Sequence, residues 1–212
     1  MGPEYRKLSE AETRRLRLEK SSYYLFGGEE SYGYSGADFV RDKDANGATI
    51  MFCEVAAYAK SQGKNIDELL NAIYAELGYF EERNESLVFE GADGADKIRR
   101  LLISYDEDPP LEVAGKTVTS TRNFATDIIR DVEADEIPKE QMLMFELEDR
   151  TRIAVRASGT EPKIKYYLFA QRRPAEANFS TDELARAKSE VSARLNASWD
   201  WLRADAHQRL EK

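Results

Sequence analysis

The stretch "QMLMFELEDRTRIAVRASGTEPKIKYYLFA", residues 141 to 170, decides how this chain folds. Leu143, Phe145 and Leu147 alternate on one face, Asp149 and Arg150 make a turn, and Ile153 and Val155 return along a second strand. A third strand places Ile164, Tyr166 and Leu168 on one face and Lys165, Tyr167 and Phe169 on the other. Period-two alternation with tight turns reads as an antiparallel sheet with one face buried. The second turn, Ser-Gly-Thr-Glu-Pro at residues 158 to 162, carries unusual chemistry. Arg156 precedes it, and Lys163 and Lys165 follow it.

From Arg152 to Lys165 there are four cations (Arg152, Arg156, Lys163 and Lys165) and one acid, Glu161, in a chain whose formal net charge is -9. A phosphate is best held by N–H and O–H donors converging from a tight turn, with fixed positive charge behind them. Ser158 and Thr160 supply hydroxyls, Gly159 allows close backbone approach, Pro162 stiffens the exit, and Arg156 offers a planar fork. The residue types point to a phosphate cradle without naming the phosphate. A plain hairpin turn with a solvated basic rim is the alternative.

Working outward, Ser180 and Glu183 are spaced as a capping box. They start a long helix striped by Leu184, Ala187, Val191, Leu195 and Leu202, which should cover one face of the sheet. Trp199 and Trp201 are expected to pack partly on that sheet, and His207 to be solvated near the C-terminus. Upstream, "SLVFE" and "KTVTSTRNF" read as strands separated by a helix carrying Ile98, Leu101 and Leu102. "DEDPPLEVAG" reads as a connector held open by Pro109 and Pro110.

Before Gly78 the texture is helical. Ser9 and Glu12 form a capping box for a short charged helix, and "SSYYLF" reads as a brief strand. Gly47 to Lys60 is a helix with Met51, Val55, Tyr58 and Ala59 on its buried face, ended by Gly63. Cys53 is expected to be a small core residue. Asn65 and Glu68 cap a further helix whose buried stripe is Ile66, Leu69, Ile73 and Leu77, with Gly78 as its stop. The fold class is therefore α/β followed by α+β, in two units: residues 1–79 and residues 80–212.

The loop "GGEESYGYSGADFVRDKD", residues 27 to 44, crowds Glu29, Glu30, Asp38, Asp42 and Asp44 near Arg41 and Lys43. Carboxylates and a serine beside glycines suit bidentate recognition of sugar hydroxyls. A metal loop is the rival reading, but the spacing does not fit an EF-hand. Tyr32 and Tyr34 are expected to pack rather than to stack on a ring.

Bulk properties bound these readings. The 212 residues are 42% hydrophobic and 33% charged, with no apolar run of membrane-spanning length. A net acidic chain is not expected to bind nucleic acid generally, and no membrane partner is expected. One cysteine, Cys53, excludes an internal disulfide, and a start without basic and apolar regions suggests a cytoplasmic location. With His207 the only histidine, no metal site is expected.

Together, "GGEESYG", "DFVRDKD" and "RASGTEPKIKYY", in this order and separation, resemble the α-D-phosphohexomutase family, the phosphoglucomutases and phosphomannomutases. The resemblance implies the C-terminal half of such an enzyme. That half comprises a partial α/β domain three with its sugar loop and a complete domain four, an antiparallel sheet backed by helices in a TATA-box-binding-protein-like arrangement. Domains one and two, which carry the phosphoserine and Mg²⁺ loops, are implied as missing partners, so this chain alone is expected to be inactive. The resemblance further implies that the domain-three sheet is left without strands it would normally own.

By the same resemblance, Glu29 and Ser31 bind sugar hydroxyls, and Lys43 is a cation or proton-transfer group near the reacting end. Arg156, Ser158, Gly159 and Thr160 grip the phosphate that is not transferred, with Lys165 as a second basic contact. The implied reaction interconverts hexose 1-phosphate and 6-phosphate through a phosphoserine and a hexose 1,6-bisphosphate, with Mg²⁺ as cofactor in the full-length enzyme. Two alternatives share the motifs: a stand-alone, non-catalytic sugar-phosphate-binding module, and a phosphopentomutase.

Overall fold

The computed structural model describes residues 7–20, 24–29, 32–36, 40, 42–91, 93–131, 134–159, 161–175 and 178–211. The chain divides into two compact units, Met1–Leu70 and Asn71–Lys212.

In the first unit, α1 (Glu10–Lys20) starts from the reciprocal cap expected of its sequence. Ser9 N–H donates to Glu12 Oε2 at 3.1 Å, and Glu12 N–H donates to Ser9 Oγ at 3.3 Å. Two short strands, β1 (Gly27–Gly28) and β2 (Tyr34–Ser35), then pair antiparallel. The strand expected in "SSYYLF" is not formed over Tyr24 to Phe26, and its first three residues lie outside those described. Pairing begins instead at the glycines, where the hairpin closes with Glu29 N–H donating to Gly33 O at 2.8 Å.

α2 (Ala45–Ser61) is capped by the Asp44 carboxylate, which accepts from Asn46 N–H at 3.1 Å. It ends where Gly63 adopts a left-handed φ of 68°. α3 (Ile66–Leu77), whose residues fall in both units, has the Asn65/Glu68 box, with the two bonds at 2.8 and 2.9 Å. Gly78 follows it at φ 107°, where a Cβ would lie 2.9 Å from the Arg172 carbonyl oxygen.

The helix positions agree with their sequence signals, but the expected burial does not. Of the α2 stripe only Ala59 is buried, while Met51, Val55 and Tyr58 are exposed. Cys53 is exposed as well, not a core residue. Ile66 and Leu69 of α3 are half-buried, and Ile73 and Leu77 are exposed. Helical periodicity marks a face able to be buried, and burial needs a second layer to cover it. Among the described residues, the first unit has only two strands of two residues each to offer.

The second unit is built on a six-stranded sheet. Its strands are β3 (Tyr79–Val88), β4 (Glu112–Val113), β5 (Lys116–Asn123), β6 (Met142–Leu147), β7 (Arg152–Ala157) and β8 (Lys163–Arg172), ordered β3-β8-β7-β6-β5-β4. All neighbours are antiparallel. β3 begins seven residues before the strand expected at Ser86, because its early portion is too acidic for a strand pattern to show. β3 lies at the sheet edge, where charged side chains discourage pairing with other chains. Register with β8 holds it in place, from Tyr79↔Arg172 to Val88↔Lys163.

Two helices, α4 (Gly94–Glu107) and α5 (Thr181–Glu211), line one face of this sheet. Ile98 and Leu101 of α4 join the core with Leu143, Phe145, Leu147, Ile153, Val155, Ile164, Tyr166 and Leu168 from the strands. α5 adds Leu184, Ala187, Val191, Leu195 and Leu202, all buried. Its capping box forms, with Ser180 N–H donating to Glu183 Oε2 at 2.8 Å. Trp199 and Trp201 pack against the core while partly exposed, as expected, and Trp199 lies 5.5 Å from the Tyr166 ring. Each fully buried large apolar side chain contributes roughly 1.5–3 kcal/mol, so this core is the main source of stability in the unit.

Polar contacts pin the helices. Arg194 Nε of α5 lies 3.2 Å from Asp149 Oδ2 in the β6–β7 turn, where Arg150 takes a φ of 66°. Arg209 Nη1 donates to Ser104 Oγ at 2.8 Å and to Asp108 O at 2.8 Å, joining the end of α5 to α4.

Candidate functional site

The basic turn joins β7 to β8. Ser158 N–H donates to Lys163 O at 2.9 Å and Lys163 N–H donates to Glu161 O at 2.7 Å, so the turn closes on itself. Phe89 N–H donates to Pro162 O at 2.9 Å, tying the exit to the end of β3. A Cβ on Gly159 would meet nothing within 4 Å, so packing within the chain does not demand glycine there. Open space on that side is what a ligand approaching the backbone would use. Thr160 lies outside the described residues.

Sheet register brings the flanking cations together. Arg156 and Lys165 are direct cross-strand partners, and Met142 of β6 sits on the other side of Arg156. Both cations lie on the face opposite Val155, Ile164 and Tyr166, which belong to the core under α4 and α5. Like charges directly opposite on one sheet face repel. Such a pair is offset by an anion placed between or beside it.

The surrounding carboxylates are already engaged. Arg156 Nη1 donates to Glu140 Oε1 at 2.6 Å, and Lys163 Nζ lies 2.5 Å from Glu161 Oε2. The Lys163 ammonium, by hydrogen bond and charge, holds the Glu161 carboxyl below the usual carboxylate range. Arg152 Nε is 3.9 Å from Glu146 Oε1. Lys165 forms no ion pair among the described residues, and its Nζ stands 6.0 Å from the Tyr167 ring centroid. Glu140 was not singled out from the sequence. It lies 16 residues before Arg156 in a segment without periodicity, and only sheet register brings the two together.

In the first unit, the β1–β2 hairpin and the start of α2 assemble a second polar group. Lys43 Nζ is 3.2 Å from Glu29 Oε1 and 3.0 Å from Asp42 Oδ1. Gly33 makes room for this meeting, since a Cβ there would lie 2.7 Å from Lys43 Cγ and 3.0 Å from Glu29 Oε2. The Asp42 hydrogen bond and then that of Glu29 raise the Lys43 pKa, so the side chain stays protonated. Asp44 is occupied as the α2 cap. Tyr34 stacks on Phe26 with centroids 6.2 Å apart, but Tyr32 is fully exposed at a φ of 70° and does not pack. Ser31, Glu30, Asp38 and Arg41 lie outside the described residues. Among the described residues no group of three or more His, Cys, Asp or Glu side chains is placed to hold a metal ion, and no helix is long and apolar enough to cross a membrane.

Residues 13–77 match the family model for phosphoglucomutase/phosphomannomutase, alpha/beta/alpha domain III. The chain is 35% identical over 163 residues to a phosphoglucomutase of Staphylococcus epidermidis, covering 74% of this chain and 29% of that protein. It is also 33% identical over 157 residues to a phosphoglucomutase of Staphylococcus aureus, covering 72% and 28%. The chain therefore spans under a third of the length of these relatives. A crystal structure of the Paramecium exocytosis-sensitive phosphoprotein parafusin, a phosphoglucomutase in its open form, aligns over 89% of this chain and 31% of its own, with a TM-score of 0.45 and 19% identity. A domain III sequence followed by an antiparallel sheet with helices on one face fits the third and fourth domains of the phosphoglucomutase fold, and the chain belongs to the α-D-phosphohexomutase family as a C-terminal part of it.

Proposed function

We propose that this chain supplies the substrate-binding groups of a phosphoglucomutase or phosphomannomutase, which interconverts hexose 1-phosphate and hexose 6-phosphate. The observation that carries the reading is the cross-strand pairing of Arg156 with Lys165 beside a turn closed at Ser158 and Lys163. Glu140 offsets the charge of Arg156 in the free chain, Lys165 forms no ion pair among the described residues, and the turn leaves space at Gly159 for an anion to approach both.

In this reading Arg156, Lys165, Ser158, Gly159 and Thr160 hold the phosphate that is not being transferred. Glu29 and Ser31 accept and donate hydrogen bonds to sugar hydroxyls. Lys43, whose pKa the hydrogen bonds of Asp42 and Glu29 raise, serves as a cation or proton-transfer group near the reacting end. A mutase must take its sugar in two orientations, so one rigid anchor for the remote phosphate lets binding energy orient the reacting end. The phosphoserine and Mg²⁺ belong to other parts of the enzyme, and Mg²⁺ supplies charge stabilisation for phosphoryl transfer. No described cluster of this chain fits the metal. The full enzyme is expected to work in the cytoplasm.

The test is titration calorimetry of glucose 1-phosphate and mannose 1-phosphate into the chain and into its Arg156→Ala variant, with a coupled mutase assay on the same samples. Weak binding lost in the variant, with no turnover, is expected. Binding that survives the substitution, or turnover by a sample free of other mutases, would overturn the reading.

A further inference from the structure

We propose that Glu140 is a built-in competitor for Arg156, a carboxylate that occupies the guanidinium until a phosphate displaces it and so sets how tightly the turn holds its ligand. This rests on the reading of residues 156–165 as a phosphate site and adds a residue to it that no sequence motif contains. Glu140 Oε1 accepts a hydrogen bond at 2.6 Å from Arg156 Nη1, one of the donors that would serve a phosphate oxygen.

The geometry is that of a held backbone and a reachable side chain. Glu140 N–H donates to Phe124 O at 3.2 Å, and Glu140 O accepts from Met142 N–H at 2.8 Å. Met142 is in turn the register partner of Arg156. The backbone of Glu140 is thus fixed beside the guanidinium, while the side chains of Arg156 and Glu140 are 36% and 50% exposed. A contact this exposed is weak enough to break, and its carboxylate can swing into water.

Two consequences separate a competitor from a mere tie between the segment after β5 and β7. An occupied guanidinium lowers the apparent affinity for any anion that needs it, and a carboxylate left nearby repels the incoming charge. A phosphate dianion outcompetes a single carboxylate, whereas a ligand with one diffuse negative charge gains less. Glu140 would therefore bias the site toward phosphate dianions over monoanions.

The experiment is isothermal titration of glucose 1-phosphate, and separately of inorganic phosphate, into the wild-type chain, Glu140→Gln, Arg156→Ala and the double variant, with thermal midpoints measured on each. The proposal expects Glu140→Gln to tighten binding by about two- to fivefold, the equivalent of an exposed ion pair. It also expects that adding Glu140→Gln to Arg156→Ala restores no binding. If Arg156→Ala abolishes binding while Glu140→Gln leaves affinity unchanged or weaker and only lowers the thermal midpoint, Glu140 is a structural tie. The proposal is then overturned and the phosphate site stands. If Arg156→Ala leaves binding intact, or if no folded variant binds phosphate, the phosphate site itself fails and this proposal falls with it.

Discussion

Arg156 and Lys165 face each other across β7 and β8 with Glu140 paired to Arg156, and under the proposed function this arrangement trades stability for ligand recognition. Glu140 relieves part of the repulsion between these like charges in direct register, and Lys165, which forms no ion pair among the described residues, carries the remainder, so removing it should help the free chain. The Lys165→Gln variant is expected to be more stable by up to about 1 kcal/mol in urea unfolding, and to bind hexose phosphate more weakly. A less stable variant would contradict the repulsion, and unaltered phosphate affinity would show that Lys165 plays no part in the site. Which residues flank the turn was legible from strand alternation alone. Arg156 and Lys165 lie on the same face because each is an odd number of residues from an inward neighbour. That Glu140 completes the group was not legible, since its approach depends on the path taken between Phe124 and Met142. The Glu29–Lys43 contact was visible only as a cluster of charges, and Gly33 as the residue that admits it appears only with coordinates.

At the scale of elements, local chemistry proved the most readable. Three capping boxes, at Ser9, Asn65 and Ser180, form as spaced, because the bonds involve residues three apart and need no partner from elsewhere. Gly63 and Gly78 both end helices at positive φ for the same reason. Burial was less readable. α5 buries its stripe because a sheet lies beneath it, whereas α2 and α3 carry stripes with equal periodicity and leave most of them exposed. The acidic first half of β3 shows the converse, a strand defined by its partner β8 instead of by its own composition. Cys53, midway along α2, provides a direct check. Its thiol is expected to react with a thiol-specific reagent without denaturant at the rate of a free small thiol. Protection by more than about tenfold, equivalent to about 1.4 kcal/mol of local opening, would mean that the α2 face is covered.

Across the whole molecule, apolar burial is divided unequally between the two units. Nearly all of the described core belongs to the second, where six strands and two helices enclose it, while the first buries Ala59 alone among its described apolar residues. The basic turn proposed to hold phosphate stands on that second unit, at the junction of two interior strands, so its donors are carried by the best-supported part of the chain. The central claim is that this turn holds a sugar phosphate. Amide chemical-shift mapping of the folded chain during addition of glucose 1-phosphate addresses it most directly. The account predicts saturable shifts concentrated at Arg156, Ser158, Gly159, Lys163 and Lys165 and largely lost in Arg156→Ala. Shifts that cluster elsewhere, or a spectrum unchanged at high ligand concentration, would contradict it.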